Sequence, residues 1–468
     1  MADYRKSSVH CHSTLCDGKN TLQQMAGAAC AQGLTTLGFS GHSYTKPDRE
    51  YCMTPGRTAQ YRATIAKLKN EYRGKVDILC GIEWDLLSEG TPKGFDYWIG
   101  SAHHLYGKNT GKYYEIDFRP EDLRDCINND FDGDPLAAVE AYFAEVEKIA
   151  AKKPDIVVTI DSWSFSSRVH KALRRQKIKV PQMHYVAPQV WAWKKGRAKT
   201  MYKYVDRLLT LFPNEPAYFI PHHLPSDFVG HPVIENTVPE TAAEEFCRKS
   251  GISPDKRIVL ILPGSRHNEV SRLLPVFLEA AALLRQKYAD LQFVLPTVKT
   301  VEQQVRRMVA ENGADDVMIV AGREERNGAR AAASAAMAAS GTVSLELAIM
   351  KIPHIIAYKV APLTAWLARH LLKIRSVNLP NILMNDSIVP ELLQEACTPE
   401  NVAGEVAKFL DTENAAPRTQ FQNKMEELRR LMGAGKINPS RRAAEIVLRE
   451  INGANASSAA LDASITPI

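Results

Sequence analysis

The sequence has no long hydrophobic run. Its apolar stretches are short, such as Ile258–Leu262, against the roughly 20 residues that a spanning helix needs. A transmembrane protein is therefore not expected. The opening Met-Ala-Asp-Tyr-Arg-Lys leads into no apolar stretch, so no secretory signal is expected and the cytoplasm is the expected location. No repeat of about 20–50 residues is visible, which excludes solenoids and propellers. Cysteine is scarce beyond residue 126, where only Cys247 and Cys397 remain of eight. A cytoplasmic chain argues against disulfides, so most of the thiols read as small buried hydrophobes. A strong charge of one sign is also missing. The net charge is +6 over 468 residues, too diffuse for a nucleic-acid footprint, and no recognition motif is present.

What is present is ordinary globular composition, 45% hydrophobic and 24% charged, with length for two to four domains. The distribution is uneven. Residues 1–153 carry 19 Lys+Arg against 21 Asp+Glu, leaving 40 against 32 of the totals of 59 and 53 for the remainder. A net of −2 beside a net of +8, with six cysteines in the first part, suggests two parts of different origin.

The first part alternates strands (Ser8–His12, Thr36–Phe39, Val76–Ile82, Tyr97–Ser101) with helices (Leu22–Gln32, Thr58–Tyr72), an α/β rhythm. A helix over Pro135–Lys152 follows. The second part continues with strand Asp155–Ile160, helix Ser166–Gln176, strand Gln182–Val186, a basic helical segment Lys194–Tyr204 and strand Arg207–Leu211. Pro213–Pro239 reads as a linker. Strand Arg257–Leu262, helix Glu269–Tyr288, strand Gln292–Leu295, helix Val301–Asn312, strand Val317–Val320, a further helix and strand Ile355–Tyr358 form another α/β series. The end is helical (Pro399–Leu410, Thr419–Met432, Ser440–Ile451), and residues 453–468 read as a disordered tail.

His10-Cys11-His12 places two imidazoles at i and i+2, on one face of an extended segment. Asp17 follows. His42 ends the next strand, Glu83 the third and His103-His104 the fourth. Successive strand ends that deliver His and Glu build a site at the carboxyl end of a barrel-like sheet. Imidazole with carboxylate suits zinc, manganese or iron, and such ions activate water and clamp a phosphate. Cys11 and Cys16 offer thiolates nearby, a weaker assignment.

These segments, "HCHSTLCDGKNT", "LGFSGHSYT", "GIEWD" and "YWIGSAHH", resemble the PHP family of metal-dependent phosphoesterases, in particular its histidinol-phosphatase branch. The resemblance runs from about Ser7 to Ile156. It implies His10, His12, Asp17, His42, Glu83 and His103 as metal ligands. The family's later Gly-His-Phe-Asp-like and Asp-x-His segments are missing, so the resemblance implies only part of a (β/α) barrel.

Further on, Pro263-Gly264-Ser265-Arg266 lies between an apolar strand and a helix. Backbone N–H groups at a helix start, with a guanidinium, make a phosphate cradle. Ser340-Gly341-Thr342 forms a second strand-to-helix turn, with Glu346 one helical turn on, able to accept from ribose hydroxyls. Together they describe a nucleotide-diphosphate site. Trp191-Ala192-Trp193-Lys194-Lys195-Gly196-Arg197 interleaves aromatics with cations, which suits a membrane interface or phosphorylated lipid, or equally a core Trp beside a solvated face. Leu363–Arg375 has the same ambiguity.

The segments "VTIDSWSF", "HYVAPQVWAWKKGR", "FVGHPVIE", "ILPGSRHNEV", "ASGTVSLELAIM" and "SVNLPNILMNDSIVPELLQE" resemble the lipid-A-disaccharide synthase family of GT-B glycosyltransferases, over about Lys153 to Asn452. The resemblance implies transfer from a UDP-activated diacylglucosamine to diacylglucosamine 1-phosphate lipid. It implies catalytic roles for Asp161, as general base, and Arg266, facing the leaving diphosphate. It implies donor binding by Gly264, Ser265, Arg266, Ser340, Gly341, Thr342, Glu346 and Asn381. It also implies peripheral contact with the inner membrane and no cofactor for the transfer, and leaves a homodimer open. Where the family reads Ile-Asp-x-Pro-Asp-Phe, this chain has Trp163 and Ser164 in place of Pro-Asp, and the family's opening Gly-Glu-Ala-Ser-Gly-Asp loop is missing. The resulting expectation is an α/β chain: a PHP-like fragment (1–153), a partial acceptor-side Rossmann-like domain (154–235), a donor domain with C-terminal helices (236–452) and a tail (453–468). The join near Pro154 fits a natural fusion, an artificial chimera or a working hybrid. The alternatives to transfer are a metal-dependent phosphoesterase acting on histidinol phosphate, and an inactive chimera.

Overall fold

The computed structural model describes residues 6–47, 50–116, 119–150, 154–191, 195–235, 238–239, 241–359, 376–436 and 438–462. The chain forms two compact units, 1–185 with 201–207 and 444–468, and 186–200 with 208–443.

In the first unit, β1 (Lys6–Ser8), β2 (Leu34–Phe39), β3 (Asp77–Asp85) and β4 (Tyr97–Ser101) form one parallel sheet in that order. Helices Leu22–Ala31 and Pro55–Glu71 connect them. Thr21 and Gln24 close a capping box on the first helix. Thr54 caps the second, with Pro55 in its first turn, where no N–H is needed. Leu22, Ala26, Phe39, Met53, Tyr61, Ile65, Leu68, Ile78, Ile82 and Trp84 fill the core between helices and sheet. Burial of these side chains, at roughly 1.5–3 kcal/mol for each large one, holds the strand ends in place.

Two contacts at the carboxyl end of the sheet set up the site above it. The buried Tyr61 hydroxyl donates to Gly81 O (2.9 Å) and accepts from Gly41 N–H (3.3 Å), bridging β3 to the residues just past β2. The Tyr97 ring lies across Gly81, where a Cβ would come within 2.1 Å of it, and its hydroxyl donates to Val9 O at 2.5 Å. No residue but glycine fits at Gly81.

The first strand is shorter than the sequence suggests. It ends at Ser8, and His10–His12 lie beyond the ladder. A hairpin of β5 (His104–Tyr106) and β6 (Tyr113–Glu115) is antiparallel. Helices Pro120–Asp130 and Pro135–Ala150 follow. Then β7 (Val157–Ile160) pairs in parallel with β8 (Gln182–Tyr185) across helix Trp163–Arg175. Phe143 packs against Val169 and Leu173, so the helices on either side of Pro154 share a small core.

In the second unit, β9 (Arg207–Thr210) pairs in parallel with β10 (Ser226–Phe228). The expected linker Pro213–Pro239 is thus corrected. It contains β10 and short helices and buries Phe219, Leu224, Val229 and Val233. Its prolines open those helices instead of marking free chain. The remaining strands are β11 (Arg257–Leu262), β12 (Leu291–Pro296), β13 (Met318–Val320), β14 (Ala333–Ala339), β15 (His354–Tyr358) and β16 (Glu391–Leu393). They form one parallel sheet in the order β13-β12-β11-β14-β15-β16. This is the doubly wound 3-2-1-4-5-6 order, whose direction reverses between β11 and β14.

The last helix runs Pro439–Asp462. It continues past Gly453, where the sequence reads as the start of a disordered tail. Residues 463–468, residues 192–194 of the aromatic-basic segment and residues 360–375, which hold Leu363–Arg375, lie outside the described residues. Among the described residues, no helix is long and apolar enough to cross a membrane.

Candidate metal centre and nucleotide site

In the first unit the expected ligands gather around one of their number, Glu83: four imidazoles face its carboxylate, and Asp17 sits beside His12 and His42. Glu83 sits on β3 with its side chain only 6% exposed. Its Oε2 lies 3.1 Å from His10 Nε2, 3.1 Å from His12 Nε2 and 3.6 Å from His42 Nδ1. Its Oε1 lies 3.1 Å from His103 Nε2. Asp17 is 2.8 Å from His12 Nδ1 and 3.8 Å from His42 Nε2. The backbone fixes this cluster: Ser43 N–H donates to Glu83 O (2.8 Å) and Glu83 N–H to Gly41 O (3.1 Å).

Burial pushes the Glu83 carboxyl up, but hydrogen bonds from His103, His12 and His10 and the charge near His42 outweigh it and hold the group well below the carboxylate range. His12, beside Cys16 and Glu83, is raised to about 11. Burial lowers His42. A buried carboxylate ringed by four imidazoles, with a second carboxylate beside it, is a donor set that fits divalent zinc, manganese or iron. Three groups have ligand atoms mutually within 4.8 Å: His10-His12-Glu83, His12-Cys16-Asp17 and His42-Glu83-His103. The sequence reading missed Asp85, buried on β3, whose carboxylate accepts from Leu87 N–H (2.7 Å) and His103 N–H (3.4 Å) and orients the His103 turn.

Also in the first unit, Asp161 directly follows β7. Asp161 and Ser162 both have positive φ, 52° and 46°, a conformation that costs non-glycine residues roughly 1 kcal/mol or more each and gathers at functional turns. Ser166 Oγ donates to Asp161 O at 2.8 Å and steadies the turn, and the Asp161 residue is exposed. Below it, Thr159 Oγ1 lies 2.7 Å from both His170 Nε2 and His184 Nδ1.

In the second unit the two expected loops leave the carboxyl ends of neighbouring strands, β11 and β14. They flank the point where strand order reverses, the usual ligand crevice of such sheets. Gly264 has φ +115°. Ser265 N–H donates to Glu269 Oε2 (3.2 Å) and Arg266 Nη1 to Glu269 Oε1 (2.7 Å). The helix's own carboxylate thus fills the cradle that the sequence assigns to a diphosphate. Arg266 is otherwise 79% exposed. Gly341 and Thr342 are exposed at the start of helix Thr342–Ile349. Ser340 Oγ donates to Val377 O (3.0 Å), and Glu346 pairs with Arg330 (3.2 Å).

Asn381 departs from its expected place. It is 4% exposed. Its amide donates to Val389 O (2.8 Å) and Glu391 Oε1 (2.7 Å), and its carbonyl accepts from Ile388 N–H (3.0 Å) and Val389 N–H (2.9 Å). Two donors and two acceptors are all an amide has. Asn381 therefore fixes residues 388–391 and has no bond left for a sugar nucleotide.

Glu215 was hidden in the stretch read as a linker. It is 2% exposed and accepts from Leu211 and Phe212 N–H, both at 3.1 Å. Burial dominates these bonds and a hydrogen bond from Trp191, and raises its carboxyl to about 7. Trp191 thereby has an anchor in the protein.

Comparison with known proteins adds two matches. Residues 137–447 match the family described as lipid-A-disaccharide synthetase, and residues 8–215 match the PHP domain. The ranges overlap over 137–215, so they give the join no single position. A lipid-A-disaccharide synthase from Rhodospirillum centenum is 43% identical over 303 residues, 65% of this chain and 75% of that protein. One from Paramagnetospirillum magneticum is 43% identical over 305 residues, 65% and 77% of the respective chains. Among solved structures, a UDP-GlcNAc 2-epimerase from Neisseria meningitidis bound to UDP-GlcNAc aligns with a TM-score of 0.48 at 14% identity, covering 85% of this chain and 98% of that one.

Proposed function

The chain belongs to the lipid-A-disaccharide synthetase family, and from that membership we propose that it is a hexosyltransferase, joining UDP-2,3-diacylglucosamine to 2,3-diacylglucosamine 1-phosphate. The products are a β-linked disaccharide 1-phosphate and UDP. Beyond the family match, the observation that carries this reading is the pair of loops, 263–266 and 340–342, at the switch point between β11 and β14.

In the transfer, the acceptor hydroxyl oxygen bonds to the anomeric carbon while the bond from that carbon to the diphosphate oxygen breaks. The family resemblance gives Asp161 the role of general base, which takes the hydroxyl proton. Arg266 leaves Glu269 for the diphosphate and offsets the charge that develops there. Ser265 N–H turns to the same phosphate, Ser340, Gly341 and Thr342 line the donor, and Glu346 accepts from the ribose. The protein works at the cytoplasmic face of the inner membrane as a peripheral enzyme. UDP is expected to raise the melting temperature of the full chain. No shift at saturating UDP removes the proposal.

A second reading rests on the convergence at Glu83. His10, His12, Asp17, His42, Glu83 and His103 would hold divalent ions in a phosphoesterase-like module whose substrate class is a phosphate monoester such as histidinol phosphate. Such ions supply the charge that polarises a phosphoryl oxygen and activates water. The residues orient them: Glu83 joins two of the three ligand groups, and Asp85 and Tyr61 keep the strand ends in register. Metal content of the gently purified chain tests this. About one or more ions per chain is expected, and a metal-free protein that takes up none on addition refutes it.

A further inference from the structure

We propose that Cys16 is a thiolate ligand in the metal centre, sharing an ion with His12 and Asp17 and biasing that position toward thiophilic metals, zinc above all. The inference rests on the metal-centre reading and goes beyond its six His, Asp and Glu positions.

The loop that carries Cys16 is tightly specified. Cys16 N–H and Gly18 N–H both donate to Ser13 O at 3.0 Å, and Thr14 N–H donates to Asn20 O at 3.0 Å. The chain folds back so closely that a Cβ at Gly18 would meet the His12 carbonyl carbon at 2.3 Å. Only glycine permits this return, and the return sets the Cys16 sulfur against His12. The ligand atoms of His12, Cys16 and Asp17 lie mutually within 4.8 Å, close enough to converge on one ion with small side-chain movements. The Cys16 thiol donates to Ser13 O at 3.4 Å, and binding of an ion would release that proton. Gly41 leaves the space, since a Cβ there would stand 3.2 Å from the Cys16 sulfur.

Cys11, one residue from each histidine of the pair, is the natural control. Its sulfur faces Ser8 Oγ at 3.1 Å and enters none of the three ligand groups. The chemistry follows from the donor set. Imidazole and carboxylate alone accept manganese, iron or zinc, whereas a thiolate shifts preference toward zinc and cobalt and away from manganese.

The test uses the full chain, stripped with chelator and reloaded with cobalt(II). The expected result is a near-ultraviolet thiolate-to-cobalt charge-transfer band beside the visible ligand-field bands. The band is lost in Cys16→Ser and kept in Cys11→Ser. Zinc is also expected to slow alkylation of Cys16 in the wild-type chain by tenfold or more, read by mass spectrometry, with Cys11 little changed. This second measurement stands if Cys16→Ser fails to fold. Cobalt bound with ligand-field bands but no charge-transfer band overturns the role of Cys16 and leaves the metal centre intact. A band that survives in Cys16→Ser does the same. No cobalt uptake overturns both.

Discussion

Replacing Arg266 by alanine isolates the diphosphate cradle. Arg266 is 79% exposed and, among the described residues, pairs with Glu269, at 2.7 Å and 26% exposure. An exposed pair of this kind is worth about 0.2–1 kcal/mol, and the diphosphate must displace it. A charge-assisted hydrogen bond to phosphate returns about 1.5–3 kcal/mol. The net contribution to UDP binding is then about 0.5–2.8 kcal/mol, so Arg266→Ala should weaken UDP roughly 2- to 100-fold. The melting temperature without UDP should hardly move, because an exposed pair is all that is lost. Glu269→Gln should act in the opposite direction. It removes the competing charge and tightens UDP by up to about fivefold, the same pair energy read in reverse. Calorimetric titration of UDP into the three proteins decides. A change under twofold in Arg266→Ala, or weaker binding in Glu269→Gln, refutes the cradle and makes Glu269 the residue that orders the loop.

Other consequences follow from buried groups. Tyr61→Phe leaves Gly81 O and Gly41 N–H without the hydroxyl that joins them, so denaturant unfolding should show a loss of about 1–3 kcal/mol and lower metal retention. Glu83→Gln removes the carboxylate that four imidazoles face, and elemental analysis should find the bound metal largely lost while UDP binding is unchanged. Glu215 has its carboxyl raised to about 7 from 4.5, so the folded state holds that proton more tightly than the unfolded chain. Its contribution to stability is full below about pH 4.5 and is lost as pH rises through 7, by about 3 kcal/mol. Unfolding of wild type against Glu215→Gln at pH 5 and pH 8 should show the gap moving toward the variant at pH 8. A gap independent of pH refutes the assignment.

Much of this was legible in the residues because the signals were chemical or strongly periodic. β11 lies where its continuous apolar run Ile258–Leu262 places it. The cluster of imidazoles around Glu83 was legible because histidines and acids recur at the ends of successive apolar segments. β14 was not bounded in the same way: Ala333–Ala339 has the composition of a helix, and its register between β11 and β15 is what makes it a strand. Glu215 hid among prolines that open short helices. Asn381 belongs to a donor-binding motif by resemblance, but only coordinates show that all four of its hydrogen bonds are spent inside the protein. The switch point depends on strand order, which local pattern does not encode.

The central claim is transfer. Incubating the full chain with UDP-2,3-diacylglucosamine and 2,3-diacylglucosamine 1-phosphate, and following the tetraacyl disaccharide 1-phosphate by mass spectrometry, tests it most directly. Product that requires both substrates is expected, and it should fall at least about 100-fold in Asp161→Asn, with UDP binding intact. Wild-type protein that binds UDP yet forms no disaccharide contradicts it.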